Sequence, residues 1–296
     1  MDRQGLRDAW DRRFGAASTL IVCLIAYALA IAVAAWAAAL TPTPVLGALY
    51  GMVGGTLAIY AVVLIFGNAS IYDPFWSVAP PLILAFYLTA EAAPGETFRI
   101  ILVTAVVLAW AIRLTWYCLD RWRQLSGEDF RYRDLRAKTG GWFWLVNLTG
   151  IEMFPTLLVF AGCLPLFPVA VSEAPLGWLD GLALALAVFA IWIETAADRQ
   201  LRAHLRMPGD KGILTTGVWG WSQHPNYLGE ISFWWALLLF GLAAGAPWWM
   251  AVGALAMTAL FWFISIPMML ERKRARHPGY DAAVRGIPVL IPGPRR

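Results

Sequence analysis

The sequence predicts an all-α fold, a polytopic bundle of transmembrane helices, and its composition and patterning lead to this prediction. Hydrophobic residues make up 60% of the 296 residues and charged residues only 14%, whereas a soluble domain carries about 25% charged residues. The apolar residues are gathered in blocks, and several blocks reach the roughly 20 residues that a helix needs to cross a bilayer. We therefore expect one integral membrane domain over residues 1–296, with spans between about 17 and 270.

Eight apolar blocks follow one another along the chain. They lie at about 17–40, 46–67, 75–90, 98–118, 142–169, 177–197, 231–244 and 248–270. The segment 1–16 is basic and too polar for a cleaved signal peptide, so the first block is expected to be a retained span. The seventh block is short, with the turn GAP after it, and also fits a tilted or re-entrant helix. Seven spans are therefore the alternative to eight.

The positions of Lys and Arg predict the orientation, because cytoplasmic segments of membrane proteins concentrate basic residues. With eight spans and a cytoplasmic N-terminus, all 23 Lys and Arg residues except Arg99 and Arg113 fall in four cytoplasmic segments. An odd number of spans would place the basic tail, residues 271–296, outside. We therefore expect both termini in the cytoplasm. The net charge of +4 reflects this topology and gives no reason to expect a nucleic-acid partner.

The residues that commonly bind metals are dispersed. The three histidines form no HExxH or HxxxH pattern, and the three cysteines lie in or beside apolar blocks without ligand-like spacing. Small buried thiols explain such cysteines better than a metal site or a disulfide does. We expect no bound metal.

Ionisable residues inside apolar blocks are costly and mark candidate functional sites. Five qualify: Asp73, Arg113, Glu152, Glu194 and Glu230. Arg113 is equally explained by a side chain that reaches interfacial water from near a helix end. Asp73 precedes a proline and is also explained as a helix N-cap. A pairing of Glu152 with Arg113 would account for both residues structurally.

The stretch IWIETAADRQLR places Glu194 and Asp198 one helical turn apart, so the two carboxylates share a face. Asp198 could instead form an i,i+4 ion pair with Arg202 at the membrane edge. Glu194 lies further inside the block and has no such partner nearby in the sequence.

The stretch WSQHPNYLGE precedes the apolar run ISFWWALLLF. Pro225 suits the first turn of a helix, which places Asn226 and Glu230 on one face at the mouth of a span. A capped helix with interfacial aromatic residues accounts well for Tyr227. It accounts less well for Asn226 and Glu230.

TTGVWGWSQHPNYLGE, preceded by ETAADRQLR and followed by LERKRARHPGYDAAVRGIPVLIP, resembles the steroid 5-alpha-reductase family. The similarity is to the bacterial branch of mostly unassigned function, and WAIRLTWY, GEDFRYRDLR and NASIYDPFWS match the same branch. The resemblance covers the chain from about residue 65. It implies a reductase in the bacterial inner membrane that binds NADPH on the cytoplasmic side. It also implies hydride transfer to a carbon–carbon double bond of a lipid-like, steroid- or isoprenoid-type substrate from the bilayer.

The resemblance also implies roles for individual residues. Asn226 and Glu230 fall on the N-x-x-G-E element that contacts the cofactor. With them, the predicted cofactor-binding set is Arg113, Glu194, Asp198, Arg206, Asn226, Tyr227 and Glu230.

The catalytic positions of the family fall on Asp73 and Trp110, where steroid reductases have Glu and Tyr. Hydride addition to a conjugated double bond pushes negative charge onto the substrate oxygen, so a donor is needed there. The Trp110 indole N–H can donate a hydrogen bond but cannot act as an acid. We therefore predict Asp73 as the proton source and Trp110 as the second catalytic residue.

Two other classes of function are also consistent with the sequence. QHPNYLG is similar to the R-H-P-x-Y-x-G element of membrane methyltransferases of the isoprenylcysteine and phospholipid type, which use S-adenosylmethionine. Here Gln223 replaces the Arg, and a Glu follows the Gly. The third possibility is a non-catalytic lipid-binding membrane protein. Binding of NADPH, of S-adenosylmethionine or of neither separates the three.

Overall fold

The computed structural model describes residues 3–90, 95–209 and 212–293, and over these residues the protein contains helices and no β-strand. The all-α prediction is therefore confirmed. The helices of the first half are α1 (Arg3–Phe14), α2 (Ser18–Ala38), α3 (Pro44–Phe66), α4 (Phe75–Ala90), α5 (Thr97–Arg121), α6 (Phe130–Thr139) and α7 (Phe143–Val146). Those of the second half are α8 (Phe154–Cys163), α9 (Leu166–Val171), α10 (Trp178–Arg206), α11 (Pro225–Ala243), α12 (Ala251–Leu260), α13 (Ile266–Arg276) and α14 (Tyr280–Ala283).

Each of the eight predicted blocks is helical, although not all helices have the same apolar length. Within the described part of the chain, six helical stretches are long and apolar enough to cross a membrane. They are Arg3–Ala38, Pro44–Phe66, Thr97–Arg121, Phe130–Cys163, Trp178–Arg206 and Trp248–Arg276. Helix α4 has 16 residues and α11 has 19. The number of crossings and the side of the membrane that each end faces stay predictions.

Two stretches of the described residues are π-helical. Asn147–Met153 and Phe261–Ser265 form π-helical turns, the first between α7 and α8 and the second between α12 and α13. Such turns re-aim the side chains that follow them and occur frequently at functional sites. The polar insertion at 119–141 also contains a helix, α6, whose N-cap Asp129 accepts a hydrogen bond from the Arg131 N–H.

One end of the bundle gathers the N-terminal helix, the segment that connects α5 to α6, and the C-terminal part of the chain. Asp11 of α1 accepts a hydrogen bond from the Ser126 N–H at 2.8 Å. Arg272 of α13 lies 3.9 Å from Asp134 of α6. We call this the basic end, because the predicted cytoplasmic Arg and Lys segments meet here.

Arg99 closes the opposite end. Its guanidinium is fully buried and donates to Asp180 at 2.7 and 3.0 Å, so the charge is neutralised. The same group donates to the carbonyl oxygens of Ala174, Pro175 and Ala243 at 2.8, 3.1 and 3.4 Å. These contacts join α5, α10, the connection before α10 and the end of α11, and they explain why a basic residue lies at the predicted outer mouth of a span.

The outer surface of the bundle is strongly apolar. Trp116, Trp178, Trp248 and Phe263 each expose 70% or more of their surface, and many aliphatic side chains around them are also exposed. A soluble monomer rarely exposes apolar surface on this scale. The helices and their exposed faces identify an integral membrane protein.

Candidate functional site

Helices α10 and α11 pack most closely at Gly229, and this contact creates the centre of the site. A Cβ atom at Gly229 would lie 2.4 Å from the Glu194 Cγ and 2.8 Å from the Ala190 carbonyl oxygen. Only glycine therefore fits without displacing backbone. The close approach brings the buried Glu194 side chain next to Glu230, the residue that follows Gly229.

Three tryptophans surround the Glu230 carboxyl group. Trp76 Nε1 donates to Oε1 at 2.7 Å, Trp234 Nε1 donates to Oε1 at 3.1 Å, and Trp110 Nε1 donates to Oε2 at 3.3 Å. The donors come from α4, α11 and α5. An indole N–H is a neutral donor without an acceptor function, so this cage, which we call the indole cage, stabilises negative charge on Glu230 without a cation.

Arg113 connects two acidic residues of α10, Glu194 and Asp198. Its Nη1 lies 2.5 Å from Glu194 Oε2, and its Nη2 lies 3.2 Å from Asp198 Oδ2. The side chain of Arg113 is only 15% exposed. It therefore forms a largely buried ion-pair cluster and does not reach out to interfacial water.

Two of the alternatives weighed on the sequence are wrong. Glu152 does not pair with Arg113: it lies fully buried in the first π-helical turn and accepts a hydrogen bond from Asn147 Nδ2 at 2.7 Å. Arg202 pairs with Asp120 of α5 at 2.6 Å and not with Asp198. The partner of Glu152 lies in its own helical turn, whereas the partner of Arg202 comes from another helix.

A cleft of about 520 Å³ opens between α5 and α10 beside this cluster. It contains four arginines, Arg113, Arg199, Arg202 and Arg206, together with Asp198 and Tyr117; we call it the basic cleft. Arg113, Asp198 and Arg206 belong to the predicted cofactor-binding set, and all three line this cleft. Sequence reasoning missed Arg199, Arg202 and Tyr117 as site residues, although positions 199, 202 and 206 share one helical face.

Asp73 lies just before α4, one turn from Trp76 of the indole cage. The Tyr132 hydroxyl of α6 donates to Asp73 Oδ1, and Arg131 Nη2 lies 3.9 Å from Oδ2. Burial raises the pKa of Asp73 to about 6, while Arg131 and the Tyr132 hydrogen bond oppose the rise. The hydrogen bond to its side chain therefore comes from α6 and not from the start of α4. Sequence reasoning missed Tyr132 because it lies in the polar insertion.

Asn226 and Tyr227 belong to the first turn of α11, and neither lines the basic cleft. Tyr227 stacks on His224 with ring centroids 5.2 Å apart and packs against Phe261 at 4.9 Å. Asn226 is half-buried one turn before Glu230, and the described residues give its side chain no hydrogen bond. Pro225 begins α11, as predicted.

The bundle and the site together define a polytopic helical membrane protein with a buried acidic cluster beside a basic cleft. A family model described as "Protein of unknown function (DUF1295)" matches residues 59–285, and the chain belongs to this family. The matched region includes all the site residues.

An uncharacterized protein of Schizosaccharomyces pombe is 26% identical to this chain in an alignment of 201 residues that covers 60% of this chain. The chain spans about 58% of the length of that relative. No solved structure matches the chain.

Proposed function

We propose that this protein is a membrane-embedded reductase that transfers a hydride from NADPH to a double bond of a lipid-like substrate. The observation that carries the proposal is the basic cleft. Guanidinium groups bind phosphate oxygens in a planar, bidentate geometry, and four of them line one cleft at the basic end.

The cleft favours NADPH over S-adenosylmethionine. NADPH carries several phosphate groups, whereas S-adenosylmethionine carries none and has a positive sulfonium. Arg113, Arg199, Arg202 and Arg206 would hold the phosphates, and Asp198 accepts hydrogen bonds beside them. When bound, the cofactor supplies the hydride, and the chain supplies position and electrostatics.

An apolar groove on α10 suits the substrate. The groove has a volume of about 340 Å³ and is lined by Val188, Ile191, Trp192, Thr195, Ala196 and Arg199. It shares Thr195 and Arg199 with the basic cleft and lies on the outer surface of the bundle. A lipid-like molecule would reach it from the bilayer, while NADPH would enter from the cytoplasm of a bacterial cell.

The proposed catalytic residues differ in their access. The Trp110 indole is fully buried, and its N–H donates a hydrogen bond to Glu230. Trp110 could therefore donate to a substrate only after this hydrogen bond breaks. The Asp73 side chain is 22% exposed. Asp73 therefore remains the proposed proton source of the reduction.

Ligand-dependent thermal unfolding in detergent tests the proposal, with NADPH, NADH and S-adenosylmethionine compared at matched concentrations. A ligand at about 100 times its dissociation constant adds about 2.7 kcal/mol of stability. We expect NADPH to stabilise the protein, Arg206→Gln to weaken this effect, and the control Arg285→Gln, outside the cleft, to preserve it. Stabilisation by S-adenosylmethionine alone would indicate the methyltransferase, and stabilisation by none of the three would indicate a lipid-binding protein.

A further inference from the structure

We propose that Glu194 and Glu230 form a buried acid pair that shares one proton, and that Arg113 couples this proton to anion binding in the basic cleft. The two residues lie on different helices, α10 and α11. Their carboxyl groups meet at the point where Gly229 allows the helices to touch.

The hydrogen-bond partners of the Glu194 and Glu230 oxygens indicate a proton between the two carboxyl groups. An ionised carboxylate only accepts hydrogen bonds, so two neighbouring carboxyl groups can hydrogen-bond to each other only with a proton between them. Glu194 Oε2 accepts from Arg113. Glu194 Oε1 is buried and has no hydrogen-bond partner among the described residues. Both Glu230 oxygens already accept from indole N–H groups. A proton on Glu194 Oε1 that is donated to Glu230 satisfies every one of these atoms.

The charges of the cluster lead to the same conclusion. The buried cluster contains three acids, Glu194, Glu230 and Asp198, and one cation, Arg113, which pairs with Glu194 and Asp198. Three ionised carboxylates would leave two negative charges without a partner, and burying an unpaired charge costs several kcal/mol. Asp198 faces further cations at the mouth of the cleft, so it can remain ionised there. The indole cage stabilises a negative charge on Glu230, which leaves Glu194 as the member that carries the proton.

Arg113 gives the pair a role in the site, and this step rests on the proposed function. The guanidinium contacts Glu194 and also lines the basic cleft. An anion bound in the cleft interacts with the same guanidinium. Arg113 then stabilises negative charge on the acid pair less than it does without the anion. The pair then holds its proton more tightly, so anion binding is accompanied by proton uptake at a pH where the ligand-free pair has partly lost its proton.

Infrared spectroscopy of the purified protein without ligands tests the acid pair. We expect the wild type to show a protonated-carboxyl C=O stretch that shifts in D₂O and that is missing from Glu194→Gln. The same band is expected to vanish in Glu230→Gln, because the amide can donate to an ionised Glu194. Either variant suffices if the other does not fold. Glu152→Gln, which alters a buried acid elsewhere, is the matched control and must leave the Glu194 band in place.

Two results would overturn the pair: identical carboxyl bands in wild type and Glu194→Gln, or a Glu194 band that survives in Glu230→Gln. Titration calorimetry then tests the coupling, with NADPH added in buffers of different ionisation enthalpy at the pH where half of the ligand-free infrared band has disappeared. We expect proton uptake in the wild type and none in Glu194→Gln. If NADPH binds without proton uptake, the coupling is wrong. If NADPH does not bind, the proposed function fails, whereas the infrared result still decides the acid pair.

Discussion

At the scale of single residues, the unusual feature is a carboxyl group held by indole N–H donors from three helices. Trp76 and Trp234 lie in sequence stretches that resemble ordinary interfacial aromatics, FWS and FWW. Their polar role becomes visible only when α4, α5 and α11 meet around Glu230. Buried polar groups are expensive when they lose a partner, so the indole cage should respond sharply to the chemistry at position 230.

Substitution of Glu230 distinguishes a hydrogen-bonding role from simple packing. Glu230→Gln keeps one oxygen, which can accept from Trp76 and Trp234, and replaces the acceptor of Trp110 by an N–H that can donate to Glu194. We therefore expect a smaller loss of stability than in Glu230→Leu, together with weaker NADPH binding. Glu230→Leu leaves the indole N–H groups unpaired, each at about 1–3 kcal/mol, and should lower the thermal midpoint in detergent strongly. A Glu230→Leu protein as stable as Glu230→Gln would contradict the role of the cage.

Asp73 predicts a pH dependence. Its pKa is raised from 3.8 to about 6 in the folded protein, so the folded state binds the proton more tightly than the unfolded state does. The stability that this provides is fully present below about pH 4 and is lost as pH rises through about 6. The loss is at most about 3 kcal/mol and smaller in practice, because the side chain is 22% exposed.

Thermal unfolding of the wild type and of Asp73→Asn between about pH 4 and pH 8 measures this effect. The stability of the wild type relative to Asp73→Asn should fall as pH rises. Asp281→Asn, in an exposed ion pair with Arg274, is the control. A difference that stays constant with pH, or that grows, would contradict the raised pKa.

At the scale of helices, the α10–α11 contact determines the site. Gly229→Ala would place a Cβ 2.8 Å from the Ala190 carbonyl oxygen, and such overpacking costs about 1–3 kcal/mol. We expect a lower thermal midpoint and loss of the shared infrared band, since Glu194 and Glu230 are pushed apart. Gly181→Ala on α10, with no atom within 4 Å of the added Cβ, is the matched control. It should be neutral or stabilising by up to about 1 kcal/mol. Equal effects of the two substitutions would show that the close contact does not matter.

The helices themselves could be predicted from the sequence, because apolar blocks of span length are visible without any tertiary information. The partners within the site could not. Periodicity places Glu194 and Asp198 on one face, but it does not say that Arg113 from α5 would meet that face. Helix α6 could not be predicted either, because its polar composition resembles that of a loop. The hydrogen bond from Tyr132 to Asp73 was therefore not predicted.

At the scale of the whole molecule, the two ends of the bundle are chemically different. The basic end carries the cleft and gathers the Arg-rich segments, whereas the other end is closed around Arg99. We expect the basic end to face the cytoplasm. In a background without the half-buried Cys118, an impermeant thiol reagent applied to intact cells should label Glu173→Cys and not Arg285→Cys. Labelling of Arg285→Cys, with Glu173→Cys protected, would reverse the orientation.

The closure around Arg99 also restricts how the protein can move. The Arg99 guanidinium joins α5 to α10 and to the end of α11. A change in the angle between α5 and α10 would therefore have its pivot at Arg99. Asp180 at the pivot and Arg202 at the cleft lie on the same helix, separated by on the order of 30 Å at 1.5 Å per residue. A tilt of about 5° at the pivot therefore changes the gap at the tips by about 3 Å over such a length. A small rotation at the closed end would thus widen the cleft once the ion pairs of Arg113 and Arg202, which join α5 to α10 there, have opened.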